Sequence, residues 1–311
     1  MPPRSHRIVS LLPAATEIVC ALGLGHELKG RSHECDFPPG VEALPACTRS
    51  NIKDGTSREI DREVGSRVNA GLSLYDVDTE ALGALLPTCV VTQDQCDVCA
   101  VSLESVEAAL KDRIASKPLL LSLSPRTLGD VFSDILRVGE ALGVYAEAKA
   151  LVRTYSDRVA AIAERTGSLE KRPRVACLEW LDPLMGSANW IPELVILAGG
   201  EPVFGVTGEA SMRLAPQQLL KANPDVIVLL PCGFDCTRTR SEAPGLWRIP
   251  GFEKLGAVRE GRIRIVDGNA YFNRPGPRLV ESLEILAEIL HPELFDFGHQ
   301  HRGWEPLENQ H

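Results

Sequence analysis

The sequence has 311 residues, of which 44% are hydrophobic and 24% charged, and its formal net charge is −9. Its lysines and arginines form no cluster, which argues against nucleic acid and anionic membrane surfaces as partners. The length favours two domains, and the composition is that of a globular protein with a core of ordinary size.

The first apolar segment, residues 8–12, follows two arginines and in this respect resembles the start of a signal peptide. Pro13, Thr16 and Glu17 interrupt the apolar run, and no small-residue cleavage site follows. We therefore expect a β-strand here and a cytoplasmic location, with a periplasmic location only for a trimmed chain. No segment approaches the ~20 apolar residues of a membrane span, so no membrane insertion is expected.

Short apolar runs alternate with helical stretches through the first half of the chain. Strands are predicted at residues 8–12, 28–32, 89–92 and 118–123, and helices at residues 15–24, 57–71 and 78–86. Strands separated by helices favour βαβ units and a parallel sheet. Residues 128–165 are predicted to be helical with a break at Gly139, Gly143 and Val144, and an apolar stripe runs from Ala148 to Ile162.

The second half repeats this alternation. Strands are predicted at residues 174–180, 226–230 and 262–266, and helices at residues 191–198, 215–222 and 277–290. We therefore predict an α/β fold with two Rossmann-like parallel-sheet lobes joined by one long helix. The predicted boundaries are 1–144 for the N-terminal lobe, 145–167 for the connecting helix, 168–290 for the C-terminal lobe and 291–311 for a polar, loosely packed tail.

Loops at the carboxyl ends of strands gather at one edge of an open α/β sheet, where ligands bind. The loop after the first strand contains Pro13, Ala14 and Thr16, and it begins a helix whose free N–H groups can hold an anionic or carbonyl group. Ser32 and His33 follow the second strand. These five residues are candidate ligand contacts, with an ordinary strand-to-helix turn as the alternative for the first three.

Aromatic residues are scarce in the chain, yet several fall in or near the predicted edge loops of the second half. They are Trp180, Trp190, Phe234, Tyr271 and Phe272, and Arg274 follows the last of them. Such side chains can form apolar walls for a flat macrocycle, and Arg274 can pair with a ligand phosphate or carboxylate. Packing in the lobe core is the alternative for the aromatic residues, and a surface salt bridge is the alternative for Arg274.

The chain has nine cysteines, an odd number, and several lie in apolar runs, so they do not form the disulfide framework of a secreted protein. Cys96 and Cys99 have the Cys-x-x-Cys spacing that lets two thiolates reach one metal or form a redox disulfide. Cys35 and Cys232 would complete a four-thiolate site for Zn or an Fe–S cluster, with His33 as a substitute ligand. No Ser–His–Asp pattern, phosphate loop or dinucleotide fingerprint indicates a reaction.

Five segments carry a resemblance to a known family: residues 8–17 (IVSLLPAATE), 30–39 (GRSHECDFPP), 189–200, 223–228 (NPDVIV) and 272–278 (FNRPGPR). In these segments the chain resembles the substrate-binding proteins whose two α/β lobes are joined by one rigid helix, and among them the vitamin B12-binding proteins of bacterial ABC importers. The similarity spans about residues 7–290.

The resemblance implies a protein that clamps a corrinoid, such as cobalamin, or another metal-bearing ligand in a cleft between two lobes. Cys35 or His33 would then be an axial ligand to the cobalt, and an ABC permease would be the partner of an exported chain. The alternative is an intracellular metalloprotein with a Cys-ligated Zn or Fe–S centre, with or without enzymatic activity.

Overall fold

The structure, a computed structural model, describes residues 5–94, 106–107 and 117–308. The chain divides into two compact units. The first takes Met1–Gly55, Glu59–Pro125 and Gly129–Thr154, and the second takes Thr56–Arg58, Arg126–Leu128 and Tyr155–His311. The lobe boundaries expected from the sequence, at residues 144 and 168, remain predictions.

The first unit is built on a four-stranded parallel sheet in the order β2-β1-β5-β6. Its strands are β1 (Ile8–Ser10), β2 (Leu28–Gly30), β5 (Cys89–Gln93) and β6 (Leu119–Leu123), and a separate antiparallel pair consists of β3 (Thr48–Ser50) and β4 (Tyr75–Val77). The first helices of the unit are α1 (Pro13–Ala21), α2 (Ser57–Asn69) and α3 (Thr79–Ala84), the first turn of α2 belonging to the second unit. The parallel arrangement predicted from the sequence is confirmed.

Helix α1 begins directly behind β1 because Pro13 occupies its first turn, where a missing N–H costs nothing. Its Ile18 and Val19 side chains are fully buried, whereas Ala21 in its last turn is exposed. Gly23 follows the end of the helix, and its φ of +79° is a left-handed conformation that glycine adopts without strain. Asp78 caps α3, since its carboxylate accepts a hydrogen bond from the N–H of Ala81 at 2.9 Å.

The predicted break in the long helical section lies between α4 (Leu128–Ala141) and α5 (Tyr145–Gly167). Gly143 has a φ of +74°, and the N–H of Val144 donates to the carbonyl of Gly139 at 2.8 Å. Gly139 itself permits close packing, because a Cβ there would lie 2.4 Å from the Cβ of Ala148. Helix α5 contributes to the first unit through Thr154 and to the second from Tyr155.

The second unit is built on a mixed sheet in the order β10-β8-β7-β11-β12-β13, with β9 also paired to β7. Its strands are β7 (Arg174–Leu181), β8 (Leu184–Gly186), β9 (Glu201–Pro202), β10 (Met212–Arg213), β11 (Val226–Leu229), β12 (Ile263–Val266) and β13 (Trp304–Pro306). Its further helices are α6 (Ile191–Leu197), α7 (Pro216–Ala222), α8 (Cys236–Glu242), α9 (Gly256–Arg259) and α10 (Leu279–Leu290). The central strands β7, β11 and β12 are parallel, as predicted.

The C-terminal segment packs against this unit, so the prediction of a loosely packed tail is wrong. Strand β13 pairs antiparallel with β12 and covers its edge. The buried Glu288 carboxylate of α10 accepts hydrogen bonds from the N–H groups of Phe297 and His299 and from the indole N–H of Trp304. Side-chain hydrogen bonds and the burial of a few aromatic residues hold the segment in place. Its polar composition gave no indication of either in the sequence.

His299 links the same segment to Glu284 of α10 through a 3.0 Å hydrogen bond. This bond raises the pKa of His299, whereas partial burial lowers it. The negative charges of the nearby Glu288 and Glu281 also raise the pKa of His299. Burial alone would raise the pKa of Glu284, but hydrogen bonds from His299 and Arg158 lower it below its usual value.

We expect the stability provided by this pair to depend on pH. The contribution of His299 to the unfolding free energy is complete below its unfolded pKa of 6.5, and it is lost as pH rises through the raised pKa of the folded state. The contribution of Glu284 is lost as pH falls through the lowered pKa of its carboxyl in the folded state. His299→Gln should therefore lower the melting temperature by about 2 °C at pH 6 and by less at pH 8.5. Thermal melts across this range, with the exposed His26→Gln as control, test the expectation; a pH-independent difference contradicts it.

Among the residues that the structure describes, no helix is both long enough and apolar enough to cross a membrane.

Candidate functional site

Candidate residues of the first unit lie on two adjoining segments, the start of α1 and the loop after β2. Pro13 is half-buried at the start of α1, whereas Ala14 and Thr16 are buried. The Thr16 hydroxyl lies 3.0 Å from the Sγ of the buried Cys35, and this hydrogen bond joins the two segments. The sequence predicted both residues but not their contact.

The His33 side chain is held by Thr48, the first residue of β3. The Thr48 hydroxyl oxygen lies 3.0 Å from the backbone N of His33, which donates to it, and 2.8 Å from the ring Nδ1. The same hydroxyl donates to the Ser32 hydroxyl at 3.0 Å. A single threonine thus orients both of the predicted candidates in this loop, Ser32 and His33.

Arg31 fixes the loop backbone around this group. Its guanidinium donates to the carbonyls of Ser32 at 2.9 Å and His33 at 3.3 Å. Partial burial and the positive charge of Arg31 lower the pKa of His33. The lowered pKa favours the neutral imidazole, the form in which a histidine can coordinate a metal.

The predicted four-thiolate metal centre stays a prediction. Cys96 and Cys99 lie outside the residues that the structure describes, Cys35 is buried beside Thr16, and Cys232 is exposed on the second unit. Within residues 5–94, 106–107 and 117–308 there is no group of three or more His, Cys, Asp and Glu side chains that could hold a metal ion. The other described cysteines include Cys89 and Cys177, which are buried, and burial raises the pKa of each to about 12.

The second unit brings Trp180 and Phe234 together at the carboxyl ends of two adjacent parallel strands. Trp180 is near the end of β7 and Phe234 follows β11, and their ring centroids are 5.2 Å apart with the planes tilted by 49°. The guanidinium of Arg238 lies 4.6 Å from the Phe234 centroid. Trp180 is half-buried and Phe234 is buried, so Phe234 and the Arg238 charge support the indole ring, and the exposed aromatic surface is that of Trp180.

Residues 56–58 pack against the same part of this unit. The indole N–H of Trp180 donates to the carbonyl of Ser57 at 3.1 Å. Arg58 forms a bidentate ion pair with Asp182, at 2.7 and 2.9 Å, in the turn between β7 and β8. The Ser57 carbonyl therefore holds the N–H edge of the Trp180 ring, and the Phe234 ring packs against the same side chain.

Trp190 and Phe272 belong to the core of the second unit. Trp190 is 6% exposed and Phe272 is 0% exposed, and the Trp190 indole N–H donates to the Phe272 carbonyl at 2.9 Å. The polar end of the indole is thus already satisfied within the protein. A direct ligand contact by either side chain stays a prediction, and it would require this core to open.

Tyr271 and Arg274 lie in the turn after β12. Tyr271 is half-buried, with its ring 5.5 Å from the guanidinium of Arg278. Arg274 is only 6% exposed, and it donates to the side-chain oxygen of Asn269 at 2.9 Å. The expected alternative of a surface salt bridge is wrong for Arg274, because its side chain is inside the unit.

This turn is locked to the loop that carries Phe234. The Asn273 side-chain amide donates to the carbonyls of Leu230 and Pro231, at 3.1 and 3.3 Å, and the N–H of Asn269 donates to the Phe234 carbonyl at 3.1 Å. Gly268 allows the close approach, since a Cβ there would lie 2.3 Å from the Pro231 carbonyl oxygen. The position of Phe234 therefore depends on the turn after the neighbouring strand.

Sequence reasoning missed three residues that position the candidates: Thr48, Arg238 and Asn273. Thr48 reaches His33 because the chain at residue 46 pairs with Arg31, and the N–H of Cys47 donates to the Arg31 carbonyl at 2.7 Å. Nothing in the sequence signals this pairing across fifteen residues. Asn273 had a usable signal, because the segment containing it carried part of the family resemblance.

The chain matches the periplasmic binding protein family over residues 8–270. It is 25% identical over 295 residues to the uncharacterized ABC transporter substrate-binding lipoprotein YvrC of Bacillus subtilis, covering 93% of this chain and 81% of that protein. It is 23% identical to the vitamin B12-binding protein of Vibrio parahaemolyticus, covering 91% and 88% of the two chains.

Solved structures show the same fold. The periplasmic heme-binding protein RhuT of Roseiflexus sp. RS-1 has a TM-score of 0.70 at 25% identity, over 93% of this chain and 98% of that one. The periplasmic vitamin B12-binding protein BtuF of Vibrio cholerae has a TM-score of 0.66 at 21% identity, over 94% and 98% of the two chains. The predicted two-lobed α/β fold class and the resemblance to these substrate-binding proteins are confirmed.

The expected cytoplasmic location is wrong. The family is one of periplasmic binding proteins, and the relatives are periplasmic proteins or, in the case of YvrC, a lipoprotein, which indicates an extracytoplasmic location. The expectation rested on the residues around the first apolar segment, and these form β1 and the start of α1. On the family match and the shared fold together, the chain belongs to the periplasmic binding protein family and resembles the substrate-binding proteins of ABC transporters.

Proposed function

We propose that the protein binds a corrinoid and delivers it to an ABC permease. The observation that carries this proposal is the Trp180–Phe234 pair at the carboxyl ends of β7 and β11, where ligands of open α/β sheets bind. The half-buried Trp180 ring, supported by the buried Phe234, offers an apolar surface of the kind that holds a flat macrocycle. Two relatives named vitamin B12-binding proteins, each 23% identical to the chain, support the choice of ligand.

The first unit carries polar groups of the kind that a corrinoid binds. The half-buried imidazole of His33 is a nitrogen ligand, and the start of α1 offers backbone N–H groups. Corrinoids carry amide and phosphate substituents that such groups can bind. Some structurally similar proteins are named heme-binding proteins, so ferric haem is the competing ligand that a test must include.

Trp180→Ala should weaken corrinoid binding at least tenfold, or by about 1.4 kcal/mol, because it removes one member of the aromatic pair. Equilibrium dialysis against cyanocobalamin and ferric haem measures the effect. The matched control is Tyr145→Ala, which removes an exposed aromatic ring at the start of α5. Unchanged cyanocobalamin affinity in Trp180→Ala would count against the aromatic pair as a ligand wall, and binding of haem alone would count against the corrinoid.

A further inference from the structure

Two contacts of the Trp180–Phe234 pair lead to one carboxylate, that of Glu242, the last residue of α8. The Trp180 indole N–H donates to the Ser57 carbonyl at 3.1 Å, and the Ser57 hydroxyl donates to Glu242 Oε2 at 3.0 Å. On the other side, the Arg238 guanidinium lies 4.6 Å from the Phe234 centroid and donates to Glu242 Oε1 at 3.1 Å. Since the two aromatic rings pack against each other, these contacts join five residues in a closed circuit, all of them in the second unit.

The surroundings of the Glu242 carboxylate hold it in place. Its side chain is only 15% exposed, and its partner Ser57 is buried. Ser57 is the first residue of α2, and its backbone N–H also donates to Glu242 Oε1, at 3.3 Å. The start of a helix has free N–H groups and a partial positive charge, so it attracts a carboxylate. The negative charge of Glu242 therefore has two positive partners, this helix start and Arg238.

The same carboxylate restricts both aromatic side chains. Without it, the Ser57 N–H and hydroxyl lose their acceptor, and the carbonyl that holds the Trp180 indole loses this anchor. The Arg238 guanidinium beside Phe234 loses its ion pair and can turn towards water. A side chain that is already ordered in the free protein loses little rotamer freedom when a ligand binds, and this raises the affinity.

We propose that Glu242 is a positioning residue of the ligand site, which fixes Trp180 through Ser57 and Phe234 through Arg238. The aromatic surface is thereby ordered before the ligand arrives. The inference rests on the proposed function and deepens it, because it names the group that prepares this surface for a corrinoid. Glu242 acts through its neighbours and does not itself contact the ligand.

The test measures equilibrium dialysis against cyanocobalamin and near-ultraviolet circular dichroism on the full chain and its variants. Glu242→Ala removes the carboxylate. Glu242→Gln keeps the size of the side chain and one acceptor oxygen, and it takes the place of Glu242→Ala if that variant does not fold. Trp180→Ala, alone and combined with Glu242→Ala, shows whether the carboxylate acts through the indole. The matched control is Glu253→Ala, which removes an exposed carboxylate of the same unit.

We expect Glu242→Ala to weaken cyanocobalamin binding about three- to tenfold, and Glu242→Gln to weaken it about two- to threefold. In the Trp180→Ala background, Glu242→Ala should change the affinity by less than about twofold, because substitutions at residues that act through one another are not additive. Glu253→Ala should bind cyanocobalamin as the wild type does.

The circular dichroism measurement needs no ligand. The difference between the spectra of the wild type and Trp180→Ala gives the band of Trp180, and the same difference in the Glu242→Ala background should be smaller because the indole is less ordered. A carboxylate that only stabilises the fold would lower the unfolding midpoint and leave the Trp180 band unchanged.

Three results overturn the inference and leave the corrinoid-binding function intact. They are wild-type affinity in Glu242→Ala, an equal loss of affinity on removing Glu242 with and without Trp180, and an unchanged Trp180 band in Glu242→Ala. A wild-type protein that binds no cyanocobalamin would instead refute the proposed function, together with any role of Glu242 in binding this ligand.

Discussion

Glu288→Ala is expected to destabilise the second unit by about 2–4 kcal/mol, because it leaves one buried and two partly buried N–H donors without an acceptor. Glu288 is 4% exposed, and its carboxylate receives the buried Trp304 indole N–H together with the N–H groups of Phe297 and His299. The substitution should release the C-terminal segment and uncover the edge of β12. Chemical denaturation followed by Trp fluorescence measures the loss.

Two further variants make this result specific. Glu288→Gln keeps one acceptor oxygen and should cost less than Glu288→Ala, while its amide N–H groups oppose the donor of Trp304. Glu293→Ala changes an exposed carboxylate near the end of the same helix and should change the unfolding free energy by less than about 0.5 kcal/mol. Equal losses in Glu288→Ala and Glu293→Ala would contradict the assigned role of the Glu288 carboxylate.

Gly268→Ala is expected to destabilise the second unit by about 2–3 kcal/mol and to weaken ligand binding as well. The added Cβ would lie 2.3 Å from the Pro231 carbonyl oxygen and 2.8 Å from the Asn273 side-chain nitrogen. Because this contact is with backbone, relief requires the loop after β11 to move, and that loop carries Phe234. Denaturation and cyanocobalamin dialysis on the same variant measure the two effects.

The control for this substitution is Gly245→Ala, in the same unit. A Cβ at Gly245 meets no atom within 4 Å, and its φ is not positive, so the variant should retain both stability and affinity. Gly268→Ala with wild-type stability would show that the loop tolerates the displacement, and the dependence of Phe234 on the turn after β12 would then be wrong.

Local signals in the sequence predicted the regular elements of both units. Apolar runs and the glycines between them predicted the parallel strands and the break at Gly143, because each is determined by a few neighbouring residues. Several short strands, such as β3 and β13, were missed. These strands form by pairing with distant chain segments, which no local pattern reveals.

The sequence predicted which loops carry the candidate residues, but not which of these residues are in contact. Strand ends pointed to Ser32, His33, Trp180 and Phe234, and the structure places Trp180 beside Phe234. The position of the His33 ring depends on Thr48, which reaches it through a long-range pairing at Arg31. The burial of Arg274 could not be predicted from the sequence either, because only the folded turn brings its partner Asn269 within hydrogen-bonding distance.

The most direct test of corrinoid binding is equilibrium dialysis of the purified protein against aquacobalamin, followed by the same measurement with ferric haem. We expect saturable, stoichiometric binding of the corrinoid and weaker binding of haem. No binding of the corrinoid together with saturable haem binding would contradict the proposed function, and would leave family membership and fold as the features shared with the vitamin B12-binding relatives.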